Sequence, residues 1–221
     1  MSPENNSPEN RRPLKVRGVG MVNQFAKWLS QKSITPNHIS LLSIVFALFA
    51  ALCLLLVPQY FGWQRFALYI GAALLIQGRL LCNLFDGLVA IEGGKSTASG
   101  ELFNDIPDRI SDPFIIITAG YSITCVSYGD VLGWCGALLA VLTAYVRTLA
   151  VSIGAPANFT GPMAKQHRMA LLTFACVVAA IEQILWQHDF VMLIALIVLN
   201  MGAALTTWRR AVFAYRFLEN K

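Results

Sequence analysis

Between residues 38 and 208 the chain is divided into six apolar stretches, at 38–57, 66–90, 102–124, 131–151, 169–186 and 190–208. Each is close to the roughly 20 residues that an α-helix needs to cross the hydrocarbon core of a bilayer. Inside lipid a backbone has no water to bond, so segments of this length cross as helices, each satisfying its own N–H and C=O groups. The pattern therefore predicts an all-α membrane protein with six transmembrane helices. Composition agrees: 56% of the 221 residues are hydrophobic and 13% are charged, too few charges to cover a water-soluble fold of this size.

The remaining sequence divides simply. Residues 1–18 are polar, rich in Pro and Asn, and carry Arg11, Arg12, Lys15 and Arg17, the composition of a disordered basic tail. Over 19–35, Val22, Phe25, Ala26, Trp28 and Leu29 alternate with Lys27 and Lys32 at helical spacing, which predicts an amphipathic helix lying in the membrane interface. Residues 36–221 form the membrane domain. The five cysteines, Cys53, Cys82, Cys125, Cys135 and Cys176, sit among apolar neighbours and read as small hydrophobes, and the three histidines have no zinc spacing.

The net charge of +5 does not point to nucleic acid, because the basic residues are sorted by membrane side. The tail, Lys95, Lys165, Arg168 and the C-terminal Arg209, Arg210, Arg216 and Lys221 fall on one side, and the opposite connections hold Arg65 alone. The excess of Lys and Arg on one side places both termini in the cytoplasm, as an even number of spans requires; a bacterial inner membrane is the expected location. Arg209, Arg210 and Arg216 read as anchors against anionic membrane lipids.

Charged groups within membrane spans cost free energy and default to functional candidates. Here they cluster at one end of two spans. Arg79, Asn83 and Asp86 close the second span, and Glu101, Asn104, Asp105, Asp108, Arg109 and Asp112 open the third. Asn83 and Asp86 are three residues apart, and Asn104, Asp108 and Asp112 four apart, so each set shares a helix face, and two adjacent antiparallel helices would aim these oxygens into one cavity. Such oxygens suit a hard divalent cation completed by substrate phosphates. The alternative is that Arg79 and Arg109 merely neutralise these acids at the helix ends.

From Asn83 to Asp108 the chain reads N-x2-D-G-x2-A-I-x8-G-x3-N-x3-D. This resembles the D-x2-D-G-x2-A-R-x8-or-9-G-x3-D-x3-D pattern of the CDP-alcohol phosphatidyltransferases, with every spacing kept. Asp86, Gly87, Ala90, Gly100 and Asp108 agree, while Asn83, Ile91 and Asn104 replace Asp, Arg and Asp. Ile34-Thr35-Pro36-Asn37 before the first span, Tyr145-Val-Arg147, and Gly161 to Arg168 are similar to further segments of that family. The resemblance implies a phospholipid-synthesis enzyme. It would transfer a phosphatidyl group from a CDP-diacylglycerol-like donor to a small alcohol, phosphorylated or not, with release of CMP.

By the same resemblance, Asn83, Asp86, Asn104 and Asp108 would hold one or two Mg²⁺ or Mn²⁺ ions, and Asp108 would also be the general base. Asn37, Gly87, Ala90 and Gly100 would line the donor site, Arg147, Lys165 and Arg168 the acceptor site, and the protein would be a homodimer. The two asparagines remove two negative charges from this ligand set, which leaves three outcomes open. One metal remains and transfer continues; Asp105 or Asp112, swung in by kinks at Pro107 and Pro113, replaces the missing carboxylates; or catalysis is lost and a lipid- or partner-binding role is kept. An ion or proton transporter is the remaining alternative, but the acids lie toward one end of the spans rather than at the midplane.

Overall fold

A computed structural model describes residues 35–92, 100–186 and 188–220, together with Gln24 and Trp28. The tail expected over 1–18, most of the interfacial helix expected over 19–35, and Lys95 lie outside the described residues, as do the side chains of Ile91, Glu101 and Asn104. Among the described residues there are six long helices and no strand: α1 (Pro36–Leu56), α2 (Trp63–Glu92), α3 (Gly100–Tyr121), α4 (Gly129–Ser152), α5 (Lys165–Leu185) and α6 (Phe190–Glu219). Five are long and apolar enough to cross a membrane by length and composition. The sixth, α3, is too rich in acids for that criterion. Its 22 residues nevertheless reach about 33 Å, a bilayer's hydrocarbon thickness, and it packs between α1 and α4 as part of the bundle.

Local chemistry sets the helix ends. Thr35 caps α1, its hydroxyl accepting from the His38 N–H at 3.4 Å while the His38 ring accepts from the Thr35 N–H at 3.5 Å. Pro36 follows at the first helical position, where its missing N–H is no loss. Thr35 is therefore the capping residue. A short 3-10 turn at Val57–Gln59, holding Pro58, ends α1. Both α2 and α6 have 30 residues, about 45 Å, so each extends beyond the hydrocarbon core. The prolines at 107 and 113 do not interrupt α3, which is assigned as one helix.

Around the bundle the helices follow the order α1, α2, α5, α6, α4, α3, and back to α1. Thus α2 and α3, consecutive in sequence, scarcely pack against each other, because α1 lies between them. The sequence-based expectation of two directly adjoining helices is corrected on this point. The small buried side chains of α1, among them Ser40, Ser43, Ala47, Ala50 and Ala51, let both neighbours approach it. Tight contact recurs between α3 and α4, where a Cβ on Gly120 would stand 2.6 Å from the Gly129 carbonyl oxygen. Tyr69, Ile76, Ile115, Ile116, Met169, Leu172, Met192, Leu196 and Leu199 fill the centre.

The end of the bundle away from the motif is closed by polar bonds. Asp189 accepts from Arg65 at 3.4 Å, Gln183 at 3.0 Å, Tyr69 at 3.5 Å and the Thr124 N–H at 3.1 Å, and also from the Thr124 hydroxyl. Glu182 accepts from the N–H groups of Phe190 and Val191 at 3.0 and 3.2 Å, serving the first turn of α6. Arg65, the single basic residue on this side by sequence, is thereby consumed in structure.

Candidate active site

At the opposite end, residues 79, 83 and 86 form one stripe of α2 by their four- and three-residue steps, and 108 and 112 form a facing stripe of α3. Arg79 is fully buried. One of its terminal nitrogens lies 2.8 Å from Asp108 Oδ1 and 2.7 Å from Asp112 Oδ1. The Asn83 amide donates to the same Asp108 oxygen at 2.7 Å. From α5 the Lys165 ammonium contacts Asp108 Oδ2, and Arg168 reaches Asp112 Oδ2 at 3.2 Å and the Met163 carbonyl at 3.0 Å. Two acids and three bases thus meet where α2, α3 and α5 converge.

Asp86 is bound differently. Its Oδ2 accepts from the Ser40 hydroxyl of α1 at 2.7 Å, while its Oδ1 is buried with no hydrogen-bond partner. Arg79 Nε and Nη1 and Arg168 Nε are also buried without partners. Unpaired polar atoms of this kind are costly, about 1–3 kcal/mol each, and concentrate where a ligand, ion or water completes the structure. Ser40 was not singled out from the sequence; the signal was the pair Ser40 and Ser43, one helical turn apart in an otherwise apolar span.

The carboxylates considered as replacements are already engaged. Asp105 faces outward, paired with Arg109 at 3.0 Å and Arg147 at 3.2 Å, and Arg147 lies over the Phe159 ring at 5.1 Å. Asp112 does join the cluster, but between two arginines. The neutralisation offered above as the alternative is therefore present in part: Arg79 pairs with Asp108 and Asp112, and Arg109 with Asp105. Of the three basic residues expected to meet an acceptor, Arg168 is buried and Arg147 is paired, while Lys165, with a quarter of its side chain exposed, stands nearest the open side. Asn37, Gly87, Ala90 and Gly100 are partly exposed.

The carboxylates fit one divalent ion better than two. Asp86 Oδ1 is a buried, unclaimed ligand atom, whereas both oxygens of Asp108 are held by protein donors. Among the described residues no three Asp, Glu, His or Cys side chains converge to hold a metal by themselves.

No family model matches the sequence. Inner membrane protein YnbA of Escherichia coli (strain K12) is 26% identical over 146 residues, which are 64% of this chain and 66% of that protein, just under two thirds of its length. Among solved structures, phosphatidylinositol phosphate synthase (PgsA1) of Mycobacterium tuberculosis with CDP-DAG bound superposes with a TM-score of 0.74 at 17% identity, over 89% of this chain and 94% of the synthase. The fold is that of a CDP-alcohol phosphatidyltransferase. The same synthase in complex with manganese and citrate gives a TM-score of 0.73 at 15% identity, over 88% of both chains. The resemblance read from residues 83–108 is thus borne out for the fold, and the chain is a multi-pass membrane protein built on this transferase architecture.

Proposed function

We propose that this protein transfers a phosphatidyl group from a CDP-diacylglycerol-like donor to a small alcohol in the membrane, releasing CMP. One observation carries the reading. Asp86, with its unclaimed buried oxygen, and Asp108 stand at the same end of the bundle at the motif spacing, in a fold shared with a synthase crystallised with CDP-DAG. A divalent ion held by Asp86 and the donor's diphosphate would offset the charge that builds on the phosphoryl oxygens.

In this proposal the acceptor comes in past Lys165. Asp108 takes the hydroxyl proton through Oδ2, the acceptor oxygen bonds to the β-phosphorus, and the bond to the CMP oxygen breaks, that oxygen keeping the electron pair. Arg79, buried behind Asp108, keeps the carboxylate in place. Lys165 bridges Asp108 and the donor's phosphates as a positioning residue. Gly87, Ala90 and Gly100 leave room for the nucleotide, and Arg147 remains the outer basic group for a phosphorylated acceptor. Cytoplasmic termini, a homodimer and the division at residues 18 and 35 belong to the same proposal.

The test is CMP release by purified protein from CDP-diacylglycerol with Mn²⁺ or Mg²⁺ and a panel of acceptors, including glycerol 3-phosphate and inositol phosphate. Asp86→Ala and Asp108→Ala are expected to lower it by at least about 100-fold, the scale of a lost acid–base group. A second reading, a lipid-binding relative without turnover, is favoured by the three donors that occupy Asp108. Donor binding with no CMP from any acceptor would select it.

A further inference from the structure

We infer that this site takes a single divalent ion, anchored on Asp86 and completed by a diphosphate, and that the Lys165 ammonium stands where a second ion's charge would otherwise be needed. The inference rests on the transferase reading for its diphosphate, and on this chain's own pairings for its metal count.

Charge balance comes first. Asp108 and Asp112 pair with Arg79, Lys165 and Arg168, and Asp86, held by Ser40 at the same end, supplies the third carboxylate, so acids and bases balance before any ligand arrives. A diphosphate diester brings two negative charges and one divalent ion brings two positive ones. The pair enters a buried region without net charge. A second ion would leave two positive charges uncompensated among groups that are nearly all buried, a large desolvation cost.

Ligand availability gives the same count. Of the two carboxylates at the motif positions, Asp108 has Oδ1 shared by Arg79 and Asn83 and Oδ2 contacted by Lys165, so an ion there must displace a donor, either Lys165 from Oδ2 or Arg79 and Asn83 from Oδ1. Asp86 has one donor, Ser40 on Oδ2, and its Oδ1 is buried and unpartnered although the residue is 4% exposed. That oxygen is the unclaimed motif carboxylate position among the described residues. A single carboxylate is an incomplete shell for Mg²⁺, which ordinarily adds substrate phosphates and water to one or two carboxylates. The ion is therefore expected to bind together with the diphosphate and weakly without it.

Lys165 belongs to the argument because of where it starts. It opens α5 after the 153–164 connection, is the most exposed member of the cluster, and reaches Asp108 from the side away from Arg79. An ammonium there neutralises Asp108 and repels a second divalent ion.

The experiment is a Mn²⁺ titration of the full-length protein in lipid nanodiscs, with and without CDP-diacylglycerol, following the loss of the free-ion electron paramagnetic resonance signal. The expected result is one Mn²⁺ per chain with CDP-diacylglycerol and markedly weaker binding without it. Lys165→Met is expected to tighten Mn²⁺ binding by at least about tenfold, since it removes a unit positive charge beside the ion, and Lys165→Arg to leave it near the wild-type value. Two ions per wild-type chain, no ion in the presence of CDP-diacylglycerol, or equal affinity in wild type and Lys165→Met would each overturn the inference. The wild-type stoichiometry needs no variant to fold. One ion bound with no CMP released would refute the transferase reading and leave the metal count standing; CMP release with two ions would do the reverse.

Discussion

Replacing Asp189 with alanine tests how the far end of the bundle is held. The carboxylate is 1% exposed and is the anion for Arg65, whose side chain is 7% exposed. After the substitution Arg65 keeps the Val57 carbonyl at 3.0 Å and Gln183 at 3.1 Å, but its charge has no counter-ion. Removing one partner of a buried ion pair costs about 3–5 kcal/mol, because the charge left behind remains desolvated. For a chain of this length each kcal/mol lowers Tm by roughly 2–4 °C, so a fall on the order of 10 °C is expected. Thermal unfolding in a fixed detergent, monitored by tryptophan fluorescence, measures it. The double variant Arg65→Met/Asp189→Leu removes the stranded charge as well and is expected to recover more than half of the loss. The Thr124 N–H and Gln183 would still lose their acceptor, at about 1 kcal/mol each. A single-variant Tm within 2 °C of wild type, or a double variant no more stable than the single one, would refute this account.

Other substitutions probe separate parts of the structure. Gly120→Leu forces α3 and α4 apart, since even a Cβ meets the Gly129 oxygen at 2.6 Å; a loss of roughly 1–3 kcal/mol or more is expected in the same thermal assay. Thr35→Ala removes the α1 cap and should cost about 1 kcal/mol, with Thr35→Ser close to wild type. Asp105→Asn is expected to leave Mn²⁺ affinity unchanged in the spin-resonance titration, because Asp105 is occupied by Arg109 and Arg147 outside the cluster.

The helices were legible in the sequence because lipid imposes a single solution on each long apolar run. Their ends were less so. The sixth stretch was read as 190–208, yet α6 continues to Glu219, and Arg210, read as a lipid anchor, is buried and donates to the Thr160 and Thr143 carbonyls at 3.1 and 3.0 Å. The motif spacing correctly brought Asn83, Asp86 and Asp108 to one end of the bundle. It could not assign the ion pairs, because which acids of α3 meet Arg79, and which meet Arg147, depends on how α3 is rotated against its neighbours. Asp112, four residues on, shares Asp108's face, and Asp105, three residues back, turns instead to Arg109 and Arg147. The partnership of Arg168 with Asp112 spans 56 residues and leaves no local pattern. Nor did any spacing indicate that α1 would separate α2 from α3.

That interposed helix carries no carboxylate, lysine or arginine, yet its girth works as a spacer gauge for the charged end of the bundle. Arg79 reaches Asp108, and Ser40 reaches Asp86, beside inner faces of α1 lined by alanine- and serine-sized groups. A bulkier residue there, or a bilayer thickness that tips α1 relative to its neighbours, would reset the gap across which the charged groups meet. The lipid itself would then set a spacing between groups it never touches.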